Sequence, residues 1–105
     1  MSDVLQRLDA VIAARAGADP ATSHTAAMLA KGPKKCAEKF GEEAVEAIIE
    51  AAHGDRDALT REAADVLFHL LVMLRSHGLS LEDVLAELER REGTSGIAEK
   101  AARGG

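Results

Sequence analysis

Two pairs of acidic residues stand out in this sequence because both have the same three-residue spacing. Glu43 and Glu46 form the first pair, and Glu62 and Asp65 form the second. Side chains at positions i and i+3 of an α-helix lie on one face, so each pair projects its carboxylates side by side. If the two helices pack antiparallel, four carboxylates meet in a small volume, where they repel unless a hard dication lies among them. We therefore predict a Mg²⁺ site that serves a phosphate substrate.

The alternative for each acidic pair is a helix face that is only exposed to water. Two observations favour the metal site. Lys35 and Lys39 precede the first pair, which is the weaker orientation for ion pairs along a helix. Asp65 stands directly before the apolar residues 66–68, where an uncompensated charge would be costly.

Basic side chains near the acids are candidates for contact with the substrate. A substrate with several phosphates needs cations beside the metal, so we predict that Lys39 and Lys31 bind it. For any single lysine the alternative is a surface residue that aids solubility. His69 follows Asp65 on the same helix face, and we expect it to orient a carboxylate or contact the substrate. The alternative is a core histidine with one hydrogen-bond partner.

Several other kinds of site are excluded by what the sequence lacks. It has no P-loop, no dinucleotide fingerprint and no recognisable nucleophile set. The single cysteine, Cys36, can form neither an intramolecular disulfide nor a zinc site, and we expect it to be a buried filler. The net charge of −5 argues against a nucleic-acid partner. The longest apolar run, 66–74, is too short to span a membrane, and the first residues do not have the pattern of a signal peptide, so we expect a cytoplasmic protein.

These side chains must be positioned by helices. The chain of 105 residues is 47% hydrophobic, and Ala, Leu, Val and Ile supply most of that content, which suits closely packed helices. We therefore predict one all-α domain over 1–105, with the functional core at about 23–92 and a mobile tail at 93–105. Periodicity and capping signals predict five helices, at about 3–16, 23–31, 33–53, 56–77 and 81–92.

A helical projection predicts which faces are buried. The predicted core stripe comprises Ala37, Phe40, Ala44, Ile48 and Ala51 on the third helix and Leu59, Ala63, Leu67, Leu70 and Leu74 on the fourth. The opposite face of the third helix carries Glu42, Glu43, Glu46 and Glu50 together with Lys35 and Lys39. Phe68 and Val72 point away from the core stripe, so the fourth helix is apolar nearly all round. We therefore expect a compact helical bundle that is completed by oligomerisation.

Four blocks of this sequence together resemble a known family. The blocks are K-G…K-F-G-E-E-A-V-E at 31–46, G-D-R-D at 54–57, E-A-A-D-V-L-F-H-L-L at 62–71 and G-L-S-L-E-D-V at 78–84. They resemble the phosphoribosyl-ATP pyrophosphatases (phosphoribosyl-ATP diphosphatases) of the MazG-type all-α nucleotide pyrophosphatases. The resemblance covers about residues 23–92. One departure is His24, where the family often has an aromatic residue after the serine.

The resemblance implies Mg²⁺-dependent hydrolysis of 1-(5-phosphoribosyl)-ATP to 1-(5-phosphoribosyl)-AMP and pyrophosphate, the second step of histidine biosynthesis. By the same resemblance, the metal ligands are Glu43, Glu46, Glu62 and Asp65. Glu42 is either a further ligand or the base that positions water. The family is oligomeric, which implies a homodimer or a higher homo-oligomer.

Two other functions are compatible with the acidic motifs. One is a house-cleaning pyrophosphatase of the wider superfamily that acts on dCTP, dUTP or damaged nucleotides. The other is a helical interaction module without enzymatic activity. Release of pyrophosphate from phosphoribosyl-ATP, ATP and dCTP separates these alternatives.

Overall fold

The structure is a computed structural model that describes residues 3–93. Within that range the chain forms helices joined by turns, with no strand, which confirms the predicted all-α class. The five helices are α1 (Val4–Arg15), α2 (His24–Ala30), α3 (Pro33–His53), α4 (Arg56–Ser76) and α5 (Leu81–Arg90). The predicted first and last residues of all five helices are confirmed to within two residues. The predicted mobile tail lies outside the described residues, apart from Gly93.

Local hydrogen bonds explain where the helices begin and end. The Ser23 hydroxyl accepts a bond from the third residue of α2, and the Asp55 carboxylate does the same for α4. Ser80 and Asp83 form a capping box at the start of α5, as the sequence predicts. Gly54 ends α3 in the left-handed region at φ +78°, which a residue with a side chain would adopt only under strain.

The long helices α3 and α4 are joined by a two-residue turn and form the most extensive helix pair of the fold. The short turn makes them antiparallel, which brings residues near the middle of α3 beside residues in the first half of α4. The short helix α2 packs against both, and α1 packs against α2, α4 and α5. The α3–α4 hairpin is therefore the scaffold on which the acidic residues stand.

The hydrophobic core is small and lies at one end of this hairpin. It comprises Ile12, Met28, Cys36, Leu71, Val72 and Leu81, with contributions from all five helices. Cys36 is buried, and its thiol donates a hydrogen bond to the Met28 carbonyl at 3.3 Å, which confirms the predicted filler role. No helix among residues 3–93 is long and apolar enough to cross a membrane.

The predicted core faces of α3 and α4 are wrong in part. Ala37, Ile48 and Ala51 of α3 and Ala63 and Leu67 of α4 are exposed, whereas Phe40, Ala44, Leu59, Leu70 and Leu74 are half-buried. Glu43, predicted on the outer face, is only 8% exposed. Val72 lies fully inside the core and Phe68 packs against it, so neither points away from the core as predicted. Of the acids predicted to form the site, Glu43 is buried and Glu62 is half-buried, whereas Glu42, Glu46 and Asp65 are exposed.

A polar contact away from the acidic residues of α3 and α4 joins three helices. Asp9 of α1 accepts a hydrogen bond from the Leu81 backbone N–H at 3.1 Å, at the first residue of α5. The other Asp9 oxygen lies 3.5 Å from an Arg75 guanidinium nitrogen on α4. Because Asp9 and Arg75 are both largely buried, this contact fixes α5 against the rest of the fold. The sequence analysis did not identify it, since an isolated Asp and Arg far apart in sequence give no periodic signal.

Candidate metal centre and active site

Three acidic side chains from two helices lie close enough to bind one metal ion. Glu43 of α3 and Glu62 and Asp65 of α4 each offer one carboxylate oxygen, and these oxygens lie within 4.8 Å of one another. Glu43 and Asp65 stand at equal distances along the chain from the turn at Gly54, so the antiparallel hairpin places them opposite each other. Three of the four predicted ligands are thus brought together.

Burial distinguishes this cluster from an ordinary acidic surface. Glu43 Oε2 and Glu62 Oε2 are both buried, and neither has a hydrogen-bond partner among residues 3–93. A buried carboxylate oxygen without a partner is strongly unfavourable, because its charge has lost water and gained nothing in exchange. Asp65 is exposed at the edge of the cluster. The arrangement therefore fits a hard dication that the buried carboxylate oxygens would bind and that a substrate could reach from solvent.

Two nitrogen-bearing side chains face the other oxygen of Glu43. Lys39 Nζ lies 3.4 Å from Glu43 Oε1, and His69 Nε2 lies 4.0 Å from the same atom. The two oxygens of this carboxylate are therefore in different environments. Oε1 faces two nitrogen groups, whereas Oε2 has no partner in the described part of the chain.

His69 is buried at the α3–α4 interface, in edge-to-face contact with Phe68 at a ring separation of 5.0 Å. Burial lowers the pKa of His69, because the charged imidazolium would lose its hydration. Glu43 and Asp65 oppose this change, while Lys39 and His24 lower the pKa further. His69 is therefore neutral at pH 7.

The remaining predicted site residues lie outside the three-carboxylate cluster. Glu46 and Glu42 are exposed, and neither belongs to the group of oxygens that lie within 4.8 Å. Lys31 is exposed at the end of α2. Lys35, one turn before Lys39, pairs with Glu38 on the outer surface of α3 at 3.5 Å. Of the predicted basic contacts, Lys39 and His69 are thus the two that the fold brings to the carboxylates.

An open cavity of about 510 Å³ lies at the α3–α4 turn, away from this cluster. It is lined by Gly54, Asp55, Arg56, Asp57 and Thr60. Its polar groups are already used in part, since Asp55 caps α4 and Thr60 donates a hydrogen bond to the Arg56 carbonyl. We assign the site to the carboxylate cluster instead, because only there are buried charged oxygens without partners in the described residues.

Comparisons with known proteins show which proteins this chain is similar to. The sequence profile of a family described as phosphoribosyl-ATP pyrophosphohydrolase matches residues 5–92. A phosphoribosyl-ATP pyrophosphatase of Dinoroseobacter shibae is 73% identical over 95% of this chain and 98% of its own length. Relatives of the same name from Cereibacter sphaeroides and Jannaschia sp. are each 70% identical, over 96% and 94% of this chain and 98% and 97% of their own lengths. Similarity of this extent covers both helices that carry the acidic cluster.

Proposed function

This chain belongs to the phosphoribosyl-ATP pyrophosphohydrolase family, and we propose that it hydrolyses 1-(5-phosphoribosyl)-ATP to 1-(5-phosphoribosyl)-AMP and pyrophosphate. The reaction is the second step of histidine biosynthesis. We propose that one all-α domain carries this activity in the cytoplasm. The observation that supports the site most strongly is the cluster of Glu43, Glu62 and Asp65, with its two buried, unpartnered oxygens within the described residues.

We propose that Mg²⁺ binds at these three carboxylates. When bound, it neutralises phosphate charge and lowers the pKa of an attacking water. Glu46, one turn beyond Glu43 on α3, is the fourth ligand by family resemblance, although its carboxylate is exposed and outside the cluster. The separate position of Glu46 makes its contribution to metal binding a distinct, testable part of the proposal.

The reaction adds water to phosphorus and breaks the anhydride between the α- and β-phosphates, so a proton must leave the water. Glu42 is exposed and adjacent in sequence to Glu43, and we propose that it accepts this proton. Lys39 has a long flexible side chain at the cluster and would bind the negative charge of the phosphate chain. Lys31 and His69 are proposed as further substrate contacts, with His69 acting as a neutral hydrogen-bonding group.

We further propose that the active form is a homodimer or a higher homo-oligomer. Val45, Ile48 and Ile49 share one side of α3 and are 54%, 65% and 47% exposed. Three branched apolar side chains at this spacing form an apolar stripe that would be stabilised by burial against another subunit. The stripe lies opposite Glu43 around the axis of α3 and borders Glu42 and Glu46, so association would bring a second subunit close to these two acids.

Release of pyrophosphate from phosphoribosyl-ATP tests this function. We expect turnover to require Mg²⁺, to be abolished by EDTA and to be restored by added metal. Asp65→Asn should reduce kcat on the order of 100-fold or more while helical content by circular dichroism stays unchanged. Turnover that is indifferent to EDTA, or near-normal activity of Asp65→Asn, would contradict the proposed metal site.

A further inference from the structure

The two carboxylate oxygens of Glu43 have different surroundings. Its Oε1 atom lies 3.4 Å from Lys39 Nζ, whereas its buried Oε2 atom has no partner within residues 3–93. The Lys39 side chain is 37% exposed, so its ammonium group lies at the boundary between the cluster and solvent. A positive charge therefore stands beside a proposed metal ligand before any metal or substrate arrives.

We infer that Lys39 is the counter-ion of the metal-free site, which it leaves when a divalent cation binds and the phosphate chain of the substrate arrives. The inference rests on the proposed metal-dependent function and adds a regulatory property to that site. In the metal-free protein, Lys39 partly neutralises Glu43, whose burial makes an uncompensated charge unfavourable. A dication at the cluster takes over this role, and the lysine is then released.

Electrostatics gives the sign of the effect. A lysine and a dication repel each other, so keeping Lys39 at Glu43 opposes metal binding. The side chain has four rotatable bonds and can move its charge toward solvent or toward a bound anion. Metal and substrate should therefore bind cooperatively, because the phosphate chain gives Lys39 a new partner when the metal displaces Lys39 from Glu43.

The neighbouring turn of α3 supplies a matched control. Lys35 lies four residues before Lys39 and pairs with Glu38 at 3.5 Å, with both side chains largely exposed. Lys35→Gln and Lys39→Gln therefore remove the same charge from the same helix and make the same change in net charge. Only Lys39→Gln removes the partner of a carboxylate in the cluster.

The test is a calorimetric titration of Mn²⁺ into the nucleotide-free protein at low ionic strength, with wild type, Lys39→Gln and Lys35→Gln compared. We expect Lys39→Gln to bind Mn²⁺ about two- to fivefold more tightly than wild type, the range that loss of a half-exposed ion pair permits. Lys35→Gln should change the Kd by less than about 1.5-fold, since its charge is farther away and screened. Circular dichroism of both variants confirms that they are folded.

The outcomes separate this inference from the proposed function. Equal changes in the two variants, or weaker Mn²⁺ binding by Lys39→Gln, would overturn the counter-ion role while leaving the metal-dependent activity in place. Weaker binding would indicate that Lys39 holds Glu43 in position for the metal. A wild-type protein that does not bind Mn²⁺ at all would overturn the proposed metal site and, with it, this inference.

Discussion

His69 and Glu43 meet across the α3–α4 interface, with His69 Nε2 4.0 Å from Glu43 Oε1 and both side chains buried. An imidazole and a carboxylate thus occupy positions that Leu or Ile would fill in an ordinary helical hairpin. Burial removes the hydration of these two polar groups, which costs free energy that buried apolar side chains would not cost. The middle of the hairpin is therefore arranged for binding and not for maximal stability, and removing charge there should change stability and activity in opposite directions.

Glu62→Gln tests this opposition. The substitution keeps the shape of the side chain but removes a negative charge from a group of three carboxylates. We expect the metal-free variant to melt a few degrees above metal-free wild type, which for a domain of this size corresponds to a gain of about 0.5–1 kcal/mol in the free energy of unfolding. With Mg²⁺ present, we expect kcat to fall on the order of 100-fold. Differential scanning calorimetry in EDTA and the pyrophosphate assay measure the two effects. Glu89→Gln, on the exposed side of α5, is the control and should change neither.

Glu46 and Glu43 should differ in their effect on metal affinity. Glu43 is buried within the cluster, whereas Glu46 is exposed and lies outside it. We expect Glu43→Gln to weaken Mn²⁺ binding on the order of 100-fold and Glu46→Gln to weaken it by about tenfold or less. Calorimetric titration of both variants decides the point. Equal losses would show that Glu46 is a full member of the ligand set, as the family resemblance implies.

The sequence was sufficient to predict the helices but not the direction in which they face. Capping residues such as Asp55 and Ser80, and glycine at position 54, mark helix ends through local hydrogen bonds and backbone preference, so their effect is readable from the chain alone. A helical projection assumes that charged faces meet water. That assumption fails for α3, where Glu43 is buried and Ile48 is 65% exposed.

The inward orientation of Glu43 is also the part of the site that the sequence could not supply. Spacing alone predicted that Glu62 and Asp65 share a face, and the cluster confirms it. The rotation of α3 about its axis determines which oxygen of Glu43 faces Lys39. The same rotation places Glu46 outside the cluster. Cys36 lies two turns before Glu43 on the same side of α3 and is packed in the core, so tertiary packing directs both side chains inward.

Ile48→Asp tests the proposed oligomer interface. Ile48 is the most exposed member of the apolar stripe on α3, so a charge there should not disturb the core. We expect wild type to sediment as an oligomer at micromolar concentration and Ile48→Asp to shift toward the 11.0 kDa monomer. Val11→Asp introduces the same charge at a half-exposed position of α1 and should leave assembly unchanged. A wild-type monomer would contradict the proposal.

Asp9→Ala tests the contact that fixes α5. The substitution leaves the Leu81 N–H without its acceptor and Arg75 without its ion-pair partner. We expect a loss of about 1–3 kcal/mol in the free energy of unfolding, because a largely buried donor loses its hydrogen bond. Urea unfolding monitored by circular dichroism measures the loss. Glu89→Ala, an exposed position on α5, should change stability by less than about 0.5 kcal/mol.

The single cysteine reports on the integrity of the core. Burial raises the pKa of the Cys36 thiol above its ordinary value, and the neighbouring Ser76 hydroxyl offsets this effect in part. The thiolate is the reactive form, so the folded protein should react slowly with iodoacetamide even at pH 9, where an exposed thiol is substantially ionised. We expect rapid alkylation only in urea, as followed by mass spectrometry. Fast reaction of the folded protein would show that the α2–α3 contact around Cys36 opens readily.

The proposed function is tested most directly by the rate of pyrophosphate release from three substrates under identical Mg²⁺ concentrations. With phosphoribosyl-ATP, ATP and dCTP compared side by side, we expect kcat/KM for phosphoribosyl-ATP to exceed the other two on the order of 100-fold or more, because a site built to bind the phosphoribosyl group rejects substrates that lack it. Faster turnover of dCTP would instead identify a house-cleaning nucleotide pyrophosphatase. Absence of pyrophosphate release from all three would contradict the enzymatic assignment altogether.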